Sequence, residues 1–93
     1  MTKVILRIEK DNSIMFDCMN HSEDYNVCTI ISTLCGVLGV AAERADYEPT
    51  IYNDGHCRFD IPKAQDDTIE VFECVMDAMR QAAHQHPGHI KIY

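Results

Sequence analysis

Hydrophobic and polar positions alternate at both ends of the chain and recur at helical spacing in between. Val4, Leu6 and Ile8 share one parity, with Lys3, Arg7 and Glu9 on the other. The alternation breaks at the turn-forming run Lys10-Asp11-Asn12-Ser13 and resumes with Ile14, Phe16 and Cys18 opposite Asp17. Two half-buried strands joined by a short turn predict an antiparallel hairpin with one face covered. From Asn26 to about Asp46 the period becomes helical, through Val27, Ile30, Ile31, Leu34, Leu38, Ala41 and Ala45. Asp24 or Asn26 supplies the N-cap. Charges return only at Glu43 and Arg44, so most of this helix is expected to be buried, with Gly36 and Gly39 allowing close approach to a sheet or to another subunit.

A second hairpin follows, in which Pro49-Thr50-Ile51-Tyr52 and Cys57-Arg58-Phe59-Asp60-Ile61 flank Asn53-Asp54-Gly55-His56. Asp-Gly is a strong turn signal because both residues tolerate positive φ. His56 is expected to be exposed in that turn. The second helix starts near Asp66 or Asp67, carries Ile69, Phe72, Val75, Met76 and Met79 as its apolar stripe, and stops around His86-Pro87-Gly88. His89-Ile90-Lys91-Ile92-Tyr93 alternate again as a last strand. The order ββαββαβ predicts an α+β fold of two layers over residues 1–93: one mixed, mostly antiparallel five-stranded sheet with both helices on one face.

Ninety-three residues make one domain with a modest core, which an oligomer interface would supplement. Apolar residues at 46% and charged residues at 25% exclude a disordered or fibrous chain. Eight basic against fifteen acidic residues give a net charge of −7, which counts against nucleic acid and suits a basic partner. No uninterrupted apolar run approaches the roughly 18 residues of a membrane span, and the charged start is not that of a signal peptide. The five cysteines lack the paired spacing of a disulfide framework, so a reducing cytoplasm is the expected compartment.

Among those thiols, Cys28 stands apart by position. It falls in the first turn of the long helix, where free N–H groups and the macrodipole favour negative charge. His21 precedes it by seven residues, at the end of the second strand. A loop returning from strand to helix can bring imidazole and sulfur together, which is the minimal equipment of a thiolate nucleophile with a proton donor. The N-terminal N–H groups are expected to stabilise a developing oxyanion. Cys18 and Cys57 share parity with core positions, whereas Cys35 and Cys74 lie inside helices without a dipole end to activate them. Taken alone, a cysteine at this place is more often a small packed hydrophobe than a nucleophile.

The segment Asn20-His21-Ser22 followed by Val27-Cys28-Thr29-Ile30-Ile31-Ser32 resembles the ribosomal-processing cysteine protease family (Prp). Members carry Gly-His-Ala at a strand end and an Asp/Val-Cys-Ala-Ala-x-Ser pattern opening the first helix. The resemblance continues through Ala78–Ile92 to the closing helix, its proline break and the last strand, and so spans nearly the whole chain. It implies a homodimeric two-layer protein that removes an N-terminal extension from large-subunit ribosomal protein twenty-seven, with no cofactor. By resemblance Cys28 is the nucleophile, His21 the base and acid, and Ser32 a supporting residue one turn on. The chain departs from the pattern with Asn20 in place of glycine, Ser22 in place of alanine, and a short loop between His21 and Cys28. Asn tolerates positive φ better than most residues, so the loop geometry can be kept.

Glu23 and Asp24 beside the pair would attract a basic peptide, unless Asp24 serves as the N-cap. Cys18-x2-His21-x6-Cys28 offers a zinc reading, short of the four ligands of a structural site. His84, His86 and His89 straddle the second helix end, where imidazoles suit the dipole or take up an adventitious metal. The competing function is a non-catalytic acidic module that binds a basic ribosomal or other peptide without cutting it.

Overall fold

The computed structural model describes residues 1–93 as seven elements: β1 (Thr2–Ile8), β2 (Ile14–Met19), α1 (Tyr25–Arg44), β3 (Ile51–Asn53), β4 (His56–Ile61), α2 (Asp66–Gln85) and β5 (Ile90–Ile92). The strands form one open five-stranded sheet in the order β3-β4-β2-β1-β5. Every pairing is antiparallel except β1 with β5. A parallel neighbour cannot be reached by a tight turn, so α2 serves as the crossover that carries the chain from β4 to the far edge. This is the α+β fold expected from the pattern, with β2 in the middle of the sheet.

Register places the apolar parity of each strand on one face. Leu6 pairs with Phe16 and Ile8 with Ile14 across β1–β2, while Phe16 faces Phe59 and Cys18 faces Cys57 across β2–β4. Over this face pack Val27, Ile31, Cys35, Leu38 and Ala42 of α1 and Phe72, Val75, Met76, Met79 and Ala82 of α2. The rings of Phe16, Phe59 and Phe72 meet at centroid separations of 6.4, 6.3 and 5.8 Å and tie two strands to α2. Edge-on ring contacts of this kind add to the burial itself.

The other sheet face carries no helix and mixes Ile5, Met15 and Met19 with polar side chains. Asp17 is nearly buried there, with His56 Nε2 at 2.6 Å and Arg58 Nη1 at 3.3 Å from its carboxylate. His56 is therefore not an exposed turn residue: it opens β4 and is half-buried against Asp17. Arg58 also grips Asp60, at 2.8 Å from Nε, and that hydrogen bond holds the Asp60 carboxyl below its ordinary range.

Three expectations change in the structure. Helix α1 starts at Tyr25, because Asp24 is the N-cap, and ends at Arg44 rather than near Asp46. It is also not mostly buried: only five of its twenty residues are, while Val37 and Val40 stay 44% and 53% exposed. One helix flank is enough to cover a small sheet, so the opposite flank faces outward although it carries few charges. For the same reason α1 reaches a mean hydropathy of 1.7, enough by length and composition to cross a membrane, which the count of uninterrupted apolar residues overlooked. Here its buried flank forms part of the two-layer core. Strand β3 is shorter than expected, leaving Pro49 and Thr50 outside it.

Phe72 is 1% exposed and touches both other rings, so Phe72→Ala is expected to cost about 3–5 kcal/mol, a large share of the stability of a domain this small. Urea denaturation measures it; a loss under about 1 kcal/mol would contradict the packing described.

Candidate active site

The site begins where β2 ends. Asn20 turns the chain off the sheet with φ 73°, in the left-handed region that asparagine enters more readily than most residues. Two hydrogen bonds hold it: its N–H donates to Gly55 O at 2.8 Å, and Thr2 Oγ1 donates to its carbonyl at 3.0 Å. Asn20 thus occupies the backbone conformation for which glycine would otherwise be chosen. His21 follows, with its ring projecting over the β3–β4 turn.

The loop then tightens into the helix. Ser22 is buried, its Oγ accepting from Asp24 N–H at 3.1 Å and lying 2.9 Å from His89 Nδ1. Asp24 Oδ1 accepts from the N–H groups of Asn26 and Val27 at 2.8 and 3.4 Å, an N-cap that sets the axis of α1. Cys28 lies one turn in. Its Sγ is 3.9 Å from His21 Nδ1 and 3.1 Å from the Ser22 carbonyl, to which the thiol donates. His21 Nε2 in turn lies 3.0 Å from Asp54 Oδ1.

One expectation fails at this helix end. The N–H groups of Asn26 and Val27 are taken by the Asp24 carboxylate, and that of Cys28 by the Asp24 carbonyl at 3.1 Å. A good cap uses the very donors that an oxyanion would need, so the helix N-terminus does not serve as the oxyanion hole. The cleft beside the pair, about 170 Å³, offers instead the side-chain amides of Asn20 and Asn53. Ser32 lines the same cleft and is exposed, but its hydroxyl makes no hydrogen bond to Cys28 or His21.

Beneath the cleft lie three further thiols. Cys18, Cys35 and Cys57 are 5%, 4% and 7% exposed. A hydrogen bond to Cys35, together with burial, pushes the Cys18 thiol far up. For Cys35 the Cys18 contact acts downward, but the bond to Cys57 and burial outweigh it and push the thiol up to about 12. Desolvation disfavours the charged form, so Cys18 and Cys35 stay neutral. Cys18, His21 and Cys28 do not converge as a ligand set, and no group of three His, Cys, Asp or Glu side chains has metal-binding geometry. The histidine trio is likewise dispersed: His84 is exposed on the last turn of α2, His86 caps it, and His89 turns to Ser22.

Sequence reasoning missed Asp54 and His89. Asp54 was accounted for wholly by the turn, and nothing local ties residue 54 to residue 21. His89 was grouped with its sequence neighbours, whereas its partner is 67 residues away.

The fold and this cleft together describe a small two-layer α+β domain with an imidazole beside a helix-start thiol. No protein-family model and no curated protein matches the chain in sequence. In solved structures the fold recurs closely: the essential ribosomal processing protease Prp from S. aureus, solved with a covalently linked product peptide, superposes with a TM-score of 0.81 at 15% identity, covering 99% of this chain and 97% of that one. SMU.848 from Streptococcus mutans superposes with a TM-score of 0.72 at 21% identity, over 99% of this chain and 96% of the other. The likeness read from the motifs thus holds at the level of the fold, over the whole chain.

In the folded protein a neutral alkylating reagent should modify Cys28 and the exposed Cys74, and leave Cys18, Cys35 and Cys57 untouched until denaturant is added. Peptide mapping by mass spectrometry reads this directly. Labelling of Cys35 at the rate of Cys74 would contradict the burial of the cluster.

Proposed function

We propose that the protein is a cysteine endopeptidase with a Cys28–His21 dyad, acting on the N-terminal extension of a basic large-subunit ribosomal protein, number twenty-seven. The observation that carries this reading is the 3.9 Å approach of Cys28 Sγ to His21 Nδ1 at the mouth of a cleft. The fold adds support, since the S. aureus protein of the same architecture is a protease captured with a product peptide.

In the proposed reaction the Cys28 thiol gives its proton to His21 Nδ1, and the thiolate attacks the scissile carbonyl. The C–N bond breaks as His21 returns that proton to the leaving amine, leaving a thioester on Cys28. A water molecule, deprotonated by His21, attacks the thioester; the C–S bond breaks and the thiol is regenerated. No cofactor enters. Asn20 and Ser32 contribute to the cleft wall, and Asp24 acts through the cap that orients the helix. The net charge of −7 favours a basic substrate. The cytoplasm and a homodimer belong to the same proposal.

Incubation with a synthetic peptide spanning such an extension, followed by mass spectrometry, tests the function. Wild type is expected to release two fragments, Cys28→Ala none, and His21→Ala to be slowed by about 10²-fold or more. Cleavage by Cys28→Ala at the wild-type rate, or binding of the peptide by wild type without any cleavage, would overturn the protease reading; the second result would instead support the acidic binding module.

A further inference from the structure

The β3–β4 turn touches the His21 loop at three places, each by a different kind of contact. Gly55 O accepts the Asn20 N–H at 2.8 Å and fixes the backbone just before the histidine. Asp54 Oδ1 lies 3.0 Å from His21 Nε2. Gly55, at φ 88°, brings bare backbone against the ring, since a Cβ there would stand 3.3 Å from His21 Nε2. The turn conformation thus calls for glycine, and a Cβ would in addition press on the imidazole.

We infer that Asp54 is the third member of the site, a positioning residue that holds His21 in the tautomer and orientation in which Nδ1 faces Cys28. The inference rests on the Cys28–His21 reading and extends it. In a neutral imidazole only one nitrogen carries a proton. With the carboxylate at Nε2, that nitrogen is the donor, and Nδ1 keeps its lone pair toward the sulfur. When the thiol proton moves to Nδ1, the two N–H groups of the imidazolium point at the thiolate and at Asp54, so both ends of the ring are matched by negative charge. The sulfur lies on the far side of the ring from Asp54, so the carboxylate acts mainly on its contact partner.

Asp54 has a side chain 96% exposed, and exposed ion pairs add little to folding. It therefore contributes through His21 rather than through stability. The other ionisable groups around the ring are occupied or distant in role: His56 is bonded to Asp17, the Asp24 carboxylate caps α1, Glu23 is exposed on the loop, and Tyr52 lines the cleft.

The test compares wild type, Asp54→Asn, Asp54→Glu and His21→Ala by iodoacetamide alkylation across pH, with Cys74 of the same chain as internal control. Asparagine keeps the residue-glycine turn signal and removes only the charge. Asp54→Asn is expected to slow Cys28 alkylation near neutral pH by about three- to tenfold and move its profile to higher pH. Asp54→Glu should restore part of the rate, with Cys74 and the thermal midpoint unchanged. Where peptide cleavage is measured, kcat should fall and KM stay within about twofold. An Asp54→Asn profile that superposes on wild type, while that of His21→Ala shifts, would overturn the role of Asp54 and leave the dyad standing. If His21→Ala also superposes, the Cys–His reading itself fails, and the role of Asp54 with it.

Discussion

The register of β2 is the constraint on which the rest of the molecule depends. It is the central strand, bonded to β1 on one side and β4 on the other. With Phe16 opposite Phe59 and Cys18 opposite Cys57, Ile14, Phe16 and Cys18 face the helices and Met15, Asp17 and Met19 the open side. A slip of one residue would turn Phe16 outward and Asp17 into the core, exchanging apolar burial for an unpaired charge. The same register sets the site. It ends β2 opposite the start of β4, so that Asn20 meets Gly55 and His21 is delivered over the β3–β4 turn.

A second constraint acts at the start of α1. Asp24 closes the helix by taking two N–H groups with its side chain and one with its carbonyl. That cap places Cys28 at a fixed height on the first turn, below the loop that carries His21. Ser22, pinned between Asp24 and His89, presents the carbonyl on which the Cys28 thiol rests. The sulfur is therefore held by the local cap of α1, and the imidazole by contacts of its loop with Gly55 and Thr2. The geometry is economical: only six residues of chain lie between the two groups.

The five thiols show how a small fold separates chemically identical groups. Cys18, Cys35 and Cys57 lie between sheet and α1, where hydrogen bonds among the thiols and burial push Cys18 and Cys35 up. Cys74 is exposed on the outer side of α2 without a basic partner. Cys28 alone combines access to a cleft with a nearby imidazole. Position in the fold, rather than any property of cysteine, distinguishes them.

Element order, the two hairpins and the identity of the core face were legible in the chain, because alternation and helical spacing are local records of which side is buried. The left-handed turn at Asn20 was legible only through the family glycine that asparagine replaces there. Strand order was not, nor the exposed flank of α1: a helix stripe states that something apolar is needed, but not how wide a surface the partner layer covers. The partners of His21, His56 and His89 lie 33, 39 and 67 residues away, at Asp54, Asp17 and Ser22. Such polar pairings leave no periodic trace, because each is a single contact made only after the sheet has closed. Local chemistry therefore determined which groups were available, and tertiary structure alone decided which of them meet.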